Sequence, residues 1–151
     1  MKHDPYASHL QVLNAVLNTH KPKRILEYGG GVHSTHMFLT RPYVESVVTI
    51  ETSEAWRERL LTMYPDEKLT IFPAKKMSAA NFDLIFIDNG QDSQVPLGAD
   101  RRATIREVLS RPHPIVVIHD ADVPEYATAI EEFSVDYAVY RTAPDTAVVY
   151  P

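Results

Sequence analysis

The chain has 151 residues, of which 44 % are hydrophobic and 23 % charged, as in a soluble globular protein of one domain. It has no cysteine and a formal net charge of −5, which excludes disulfides and cysteine-ligated metal centres and argues against a basic nucleic-acid-binding face. Neither a signal peptide nor the roughly 20 consecutive apolar residues of a membrane span is visible. We expect one cytoplasmic domain over residues 1–151, with no DNA or membrane partner.

The spacing of apolar residues alternates between helical and strand-like periods. Asp4-Pro5 is typical of a helix start, and the helix it opens is expected to end before Pro22. The following elements are predicted for the first half: an apolar helix face of Leu10, Leu13, Val16 and Leu17; a strand over 24–28; a helix over about 34–40; a strand over 47–51; a helix capped by Ser53 with Trp56, Leu60 and Leu61 inward; and a strand over 69–72.

The second half continues the alternation. Predicted there are a vestigial helix, a strand over 83–88, a helix with Ile105, Val108 and Leu109 inward, a strand over 115–119, a helix with the capping box Asp122 and Glu125 that ends near Phe133, and strands over 135–140 and 147–150. The last connection, 141–146, is too short for a parallel crossover and predicts an antiparallel hairpin. The fold class is therefore α/β, a doubly wound and mostly parallel sheet of seven strands that closes in this hairpin.

The richest segment is the glycine turn, Gly29-Gly30-Gly31, between the first strand and its helix. Glycines permit backbone angles closed to other residues and let a ligand approach the main chain. Glu27 precedes this turn, and a second acidic residue, Glu51, ends the next strand. The dinucleotide fingerprint G-x-G-x-x-G would need glycine or alanine at Ser34 and, usually, a second domain, so nicotinamide binding is the less favoured alternative.

These residues resemble the motifs of class I, Rossmann-like S-adenosylmethionine-dependent methyltransferases. The acidic-x-Gly-x-Gly motif is matched by Glu27, Gly29 and Gly31, and the acidic residue that takes the ribose hydroxyls by Glu51. A small-molecule subgroup is similar in its fourth strand, here Asp83 to Asp88, and in a fifth strand that ends in His-Asp. The resemblance implies S-adenosyl-L-methionine as the cofactor, with Glu27, Gly29, Gly30, Gly31, Thr35, Glu51, Thr52 and Asp88 as its binding residues.

Three residues are candidates for catalysis. Asp88, His119 and Asp120 end neighbouring strands of such a fold, so we expect them to converge at the ligand crevice. His119 is the candidate general base, with packing beneath the crevice as its alternative role, and Asp88 is expected to orient the cofactor or the substrate. The three offer donors for a divalent ion, but the strand-five pattern differs from that of O-methyltransferases that hold an ion at this edge, and no metal is predicted.

Two departures from the family pattern concern the turn and the acceptor loop. His33 replaces the third glycine of many family motifs, and the loop after strand four begins Asn89-Gly90-Gln91.

The short basic cluster of Arg101, Arg102 and Arg106 is interpreted as solvated surface. The acceptor would be held by residues 89–100, the N-terminal helix or a partner subunit, which leaves assembly as a homo-oligomer open.

The function predicted is methyl transfer to a small-molecule hydroxyl or amine. The alternatives are a non-catalytic S-adenosylmethionine-binding subunit of a larger assembly and, less favoured, an NAD-dependent enzyme. The Asn-Pro-Pro-Tyr signature of amino-directed DNA methylation is absent after strand four, which argues against DNA as the substrate.

Overall fold

The computed structural model describes residues 7–90 and 101–151. Its helices are α1 Leu10–His20, α2 Ser34–Leu39, α3 Glu54–Met63, α4 Arg101–Leu109 and α5 Pro124–Phe133. Its strands are β1 Arg24–Tyr28, β2 Ser46–Ile50, β3 Leu69–Phe72, β4 Leu84–Ile87, β5 Ile115–His119, β6 Tyr137–Tyr140 and β7 Thr146–Val149. The predicted alternation of strands and helices is confirmed, and the vestigial helix before β4 is a single 3₁₀ turn, Ala79–Asn81.

The strands form one seven-stranded sheet in the order β3-β2-β1-β4-β5-β7-β6. The first five pair in parallel, whereas β7 pairs antiparallel with both β5 and β6. This confirms the predicted doubly wound sheet and its closing hairpin. The chain winds outward from β1 to β3 and then returns to place β4 beside β1, so the strand order reverses between β1 and β4. In open α/β sheets the ligand crevice lies beyond the carboxyl ends of the strands at such a switch point.

The core occupies both faces of the sheet, because its central strands are covered by helices on each side. In β4, Leu84 and Phe86 pack in a cluster with residues of α1 and α2, and the alternate residues Ile85 and Ile87 pack in a second cluster with residues of α4 and α5. All four are buried. A strand that is apolar on both faces is a continuous apolar run, and this made β4 recognisable in the sequence.

Two local predictions are wrong. Leu61 was expected to face inward but is 51 % exposed, because Leu60 is the residue of α3 that faces the sheet and the next residue of a helix points about 100° away. Asp122 was expected to cap α5, but Val123 is the N-cap residue and has no side-chain cap. Asp122 Oδ1 instead accepts a hydrogen bond from the Asp145 N–H at 3.0 Å. Asp122 therefore accepts a hydrogen bond from the backbone of the β6–β7 connection instead of capping α5.

Two other local predictions are confirmed. Ser53 caps α3 by accepting a hydrogen bond from the Trp56 N–H, and α1 ends at His20, before Pro22. The predicted helix start at Asp4-Pro5 and most of the acceptor loop, residues 91–100, lie outside the described residues. None of the helices in residues 7–90 and 101–151 has the length and apolar character that crossing a bilayer requires.

Candidate active site

Glu27 is the buried anchor beneath the glycine turn. Its side chain has no exposure to solvent, and its carboxylate accepts hydrogen bonds from the hydroxyls of Ser34, Thr35 and Thr49. Thr49 belongs to β2, whereas Ser34 and Thr35 begin α2. Burial raises the pKa of Glu27 to about 7, against the opposing effect of the three hydroxyls. Glu27, predicted to bind the cofactor, therefore holds three elements in place from below the turn.

Gly29 and Gly30 are required by the packing of the turn. Gly29 has φ +82, and a Cβ there would lie 2.5 Å from the Asp88 carbonyl oxygen, so only glycine lets β1 and β4 approach at this point. A Cβ on Gly30 would lie 2.4 Å from Leu60 Cδ1. The Gly30 carbonyl accepts a hydrogen bond from the Trp56 indole N–H, which fixes the turn against α3.

Gly31 differs from the other two glycines, because a Cβ there would meet only Ser34 Oγ, at the ordinary distance of 3.5 Å. Its N–H donates to Thr35 Oγ1 at 3.1 Å. Gly31 borders a cavity of about 430 Å³ at the carboxyl end of the sheet. The cavity is lined by His9, Gly30, Gly31, Val32, His33, Ser34, Trp56 and Asp88. The glycine therefore leaves room in front of the main chain that the fold itself does not use.

Glu51, at the end of β2, is half-buried and tied to the turn. Its Oε2 accepts from the Gly30 N–H at 3.1 Å and its Oε1 from the Ser53 N–H at 3.2 Å. Burial raises the pKa of its carboxyl above the ordinary value. Thr52 follows it, and its carbonyl accepts from the Arg57 guanidinium. Glu51 thus lies beside the glycine turn, where the sequence placed it.

Asp88, His119 and Asp120 converge at the carboxyl ends of β4 and β5, as predicted. His119 Nδ1 lies 3.0 Å from Asp88 Oδ1 and 3.7 Å from Asp120 Oδ2. The Arg101 guanidinium contacts both carboxylates, with its NH2 nitrogen 3.1 Å from Asp88 Oδ1. Two carboxylates therefore share one guanidinium.

Arg101 itself was placed wrongly by the sequence analysis. It is 4 % exposed rather than part of a solvated basic surface. Besides its two ion pairs, its Nε donates to the Asn89 carbonyl at 2.7 Å and its NH1 nitrogen to the His119 carbonyl at 3.2 Å. A buried guanidinium is stable only with such partners, and these lie on β4 and β5, far from Arg101 in sequence.

His119 is more enclosed than its predicted role suggests. It is 5 % exposed, and its second ring nitrogen, Nε2, lies 2.9 Å from Ser8 Oγ. The Ser8 hydroxyl also lies 3.4 Å from the Pro144 carbonyl oxygen, to which it can donate. Both ring nitrogens of His119 are therefore engaged, one by Asp88 and one by Ser8.

His9 is the residue of the site that sequence reasoning missed. It precedes α1 and is 2 % exposed, yet neither of its ring nitrogens has a hydrogen-bond partner in the described part of the chain. Its ring packs on the rings of Phe86 and His119, with centroid distances of 5.0 and 4.6 Å. Burial lowers the pKa of His9 to about 4, so its imidazole is neutral at pH 7. The only sequence signal was a histidine at the start of a helix that packs on the sheet.

Comparison with known proteins reveals similarity of structure rather than of sequence. No protein-family model and no curated protein matches the chain. Among solved structures, the methyltransferase domain of bacterial CtHen1-CN superimposes with a TM-score of 0.71 at 12 % identity, covering 98 % of this chain and 100 % of that one. The N-methyltransferase NodS from Bradyrhizobium japonicum WM9, in complex with S-adenosyl-L-homocysteine, gives 0.65 at 16 % identity, covering 95 % of this chain and 84 % of that one.

The fold is that of the class I methyltransferases. The same architecture is also found in a spermidine synthase in complex with the transition-state analogue AdoDATO, with a TM-score of 0.56 at 15 % identity, covering 85 % of this chain and 54 % of that one. The likeness therefore establishes the fold, and the activity has to be argued from the site.

The contrast between Gly29 and Gly31 gives a test of the turn. Gly29→Ala should lower the free energy of unfolding by at least about 2 kcal/mol, because it forces a side chain into the left-handed region and against the Asp88 backbone. Gly31→Ala, matched in chemistry, should leave stability within about 1 kcal/mol of the parent. Urea denaturation of both variants measures this, and equal effects at the two positions would contradict the described turn.

The buried Glu27 predicts a pH dependence of stability. The unfolded chain loses this proton near pH 4.5 and the folded chain near pH 7, so the stabilisation is complete below 4.5 and is lost as pH rises through 7. Between pH 4.5 and 7 the unfolding free energy of the parent should fall by about 3 kcal/mol relative to that of Glu27→Gln, since each pKa unit corresponds to about 1.4 kcal/mol. Denaturation at a series of pH values checks it; a pH-independent difference would show that Glu27 titrates alike in both states.

Proposed function

We propose that this chain is an S-adenosylmethionine-dependent methyltransferase that acts on a small-molecule hydroxyl or amine. The observation that carries the proposal is the cavity at the strand-order switch point, bordered by Gly31 and by Gly30, whose N–H donates to Glu51. Its open space in front of the Gly31 backbone is the space a ligand needs to approach the main chain. The similar structures support this choice, since they include a methyltransferase domain and an N-methyltransferase in complex with S-adenosyl-L-homocysteine.

The residues around the cavity fit this cofactor. Gly30 and Gly31 offer backbone and free space, Glu51 offers a carboxylate for a ribose diol, and the Trp56 ring forms an apolar wall. Glu51 now accepts from two backbone N–H groups, so its position is fixed before a ligand arrives. Such preorganisation reduces the cost of binding. We assign Thr35 and Glu27 to the support of this surface, since their side chains are buried and bonded to each other.

The proposed chemistry depends mainly on positioning. S-adenosylmethionine supplies a methyl group on a sulfonium, which is already activated for in-line displacement. The chain must then hold an acceptor in line with it, and such orientation lowers the barrier without a covalent intermediate. Of the three predicted catalytic residues, Asp88 lines the cavity, and we assign it contact with the ligands. His119 holds Asp88 directly, and Asp120 does so through Arg101. A general-base role for His119 requires Ser8 to release Nε2, and it stays a prediction.

The first test is the affinity for the cofactor. Glu51→Ala should weaken binding of S-adenosylmethionine by roughly tenfold to several hundredfold, because charged hydrogen bonds worth about 1.5–3 kcal/mol each are lost. The matched control is Glu58, an exposed glutamate of α3. The variant Glu58→Ala should bind the cofactor as the parent does. Calorimetry on folded variants measures both, and an unchanged affinity for Glu51→Ala would remove Glu51 from the site.

A second test separates the candidate activities. Calorimetric titration with S-adenosylmethionine, S-adenosylhomocysteine and NAD should show binding of the first two alone. Gly31→Val should abolish that binding while most of the stability remains, since its side chain fills the space at the turn. Formation of S-adenosylhomocysteine with a panel of hydroxyl and amine acceptors would then distinguish an enzyme from a non-catalytic subunit. Binding of NAD instead would overturn the proposal.

A further inference from the structure

A buried imidazole with no hydrogen-bond partner needs an explanation. Polar groups that folding removes from water are nearly always hydrogen-bonded, because an unsatisfied one costs about 1–3 kcal/mol. His9 is 2 % exposed and lacks a partner on both ring nitrogens among the described residues. A neutral histidine in this state keeps one ring nitrogen with an unshared electron pair, and the groups beside it here are the Asp88 carboxylate and the His119 imidazole.

The donor atoms of these three residues are close together. One ligand atom from each of His9, Asp88 and His119 lies within 4.8 Å of the others. The rings of His9 and His119 are 4.6 Å apart and steeply inclined, at 69°. Two imidazoles bound to one ion at 2.0–2.1 Å would have centroids about 5 Å apart. The centroid distance of the two rings is therefore similar to that of two imidazoles that share one ion.

The geometry points to a binding site for a divalent transition-metal ion formed by His9, Asp88 and His119. Two imidazoles and one carboxylate are the ligand set of catalytic zinc and of non-haem iron(II) sites, which keep open positions for water or substrate. His9 and Asp88 line the cavity, so the open positions would face it. The sequence analysis predicted no metal because the strand-five pattern differs from that of O-methyltransferases that hold an ion at this edge, and His9 was not among the donors it considered.

The hydrogen bonds around the cluster are compatible with this site. In one tautomer of His119, Nδ1–H donates to Asp88 and the Ser8 hydroxyl donates to Nε2. In the other tautomer the proton is on Nε2, so the hydroxyl accepts a hydrogen bond from Nε2–H and donates to the Pro144 carbonyl, 3.4 Å away. Nδ1 then presents an electron pair, and an ion takes the place of the proton between Nδ1 and Asp88. A metal-bound histidine usually donates its other N–H to such an outer partner, which fixes the tautomer.

The charges near the cluster also favour a cation. The carboxylates of Asp88 and Asp120 share the single guanidinium of Arg101, so carboxylates outnumber guanidinium groups two to one at this cluster. Imidazole binds a metal only in its neutral form. Because the two nitrogen ligands suit zinc, iron, nickel or copper better than magnesium or calcium, we expect selectivity for the transition metals.

The test uses metal binding alone, without S-adenosylmethionine, so that its result does not depend on the proposed function. Tag-free protein, freed of metal by chelation, is titrated with Co²⁺ by visible absorption and with Zn²⁺ by calorimetry, and Mg²⁺ is the comparison ion. We expect one transition-metal ion per chain and no response to Mg²⁺. His9→Ala should weaken binding by more than the roughly 10–100-fold that loss of an outer partner costs, and Ser8→Ala by about that amount.

The matched control is His20→Ala, since His20 is the exposed last residue of the helix that His9 precedes. It should bind Co²⁺ and Zn²⁺ as the parent does. If His9→Ala does not fold, His9→Phe keeps an aromatic ring of similar size without the nitrogens and serves in its place. Failure of the parent to bind either ion stoichiometrically, or equal binding by the parent and the His9 variant, would overturn the proposal.

Discussion

The burial of the Glu27 carboxylate constrains the geometry of the site. A carboxylate with no access to water is tolerated only where its oxygens accept hydrogen bonds, and the donors come from two other elements, Thr49 on β2 and the first residues of α2. Their hydroxyls fix the distance between β1, β2 and the start of the helix. The glycine turn spans the gap that they define, and Glu51 lies at its edge because β2 is held in register. The cavity thus depends on a residue that does not line it.

Much of the fold could be predicted because the central strands are buried on both faces. Short strand-like segments gave β1, β3 and β5 with the bounds that the structure has, and the short connection after β6 required a hairpin. The errors occur at residues whose sequence pattern fits one local role, such as a buried helix face or a helix cap, while the folded chain gives the side chain a different contact. Leu61 satisfied the helical period as well as Leu60 did, and Asp122 matched a cap but bonds to the Asp145 backbone. Sequence spacing alone does not say which neighbour a side chain meets.

The site was predictable only in the part that belongs to the sheet. Parallel strands bring their carboxyl ends to one edge, so Asp88 and His119 could be expected to meet. His9 and Arg101 enter from helix starts on opposite faces of the sheet, and their partners are distant in sequence. Arg101 resembled a surface residue because two further arginines, Arg102 and Arg106, lie in the same helix. Its burial depends on acceptors that only the folded sheet supplies.

The Ser8 hydroxyl lies near His119 and the Pro144 carbonyl, residues separated from it by 111 and 136 positions along the chain. Because synthesis proceeds from the N-terminal side, the segment that carries Ser8 and His9 emerges before β5 and the hairpin, which hold its partners His119 and Pro144. Closing a loop of this length costs entropy that only the completed sheet offsets. The contacts of this segment are therefore complete only after synthesis has passed Pro144, and a nascent chain that ends before the hairpin lacks them.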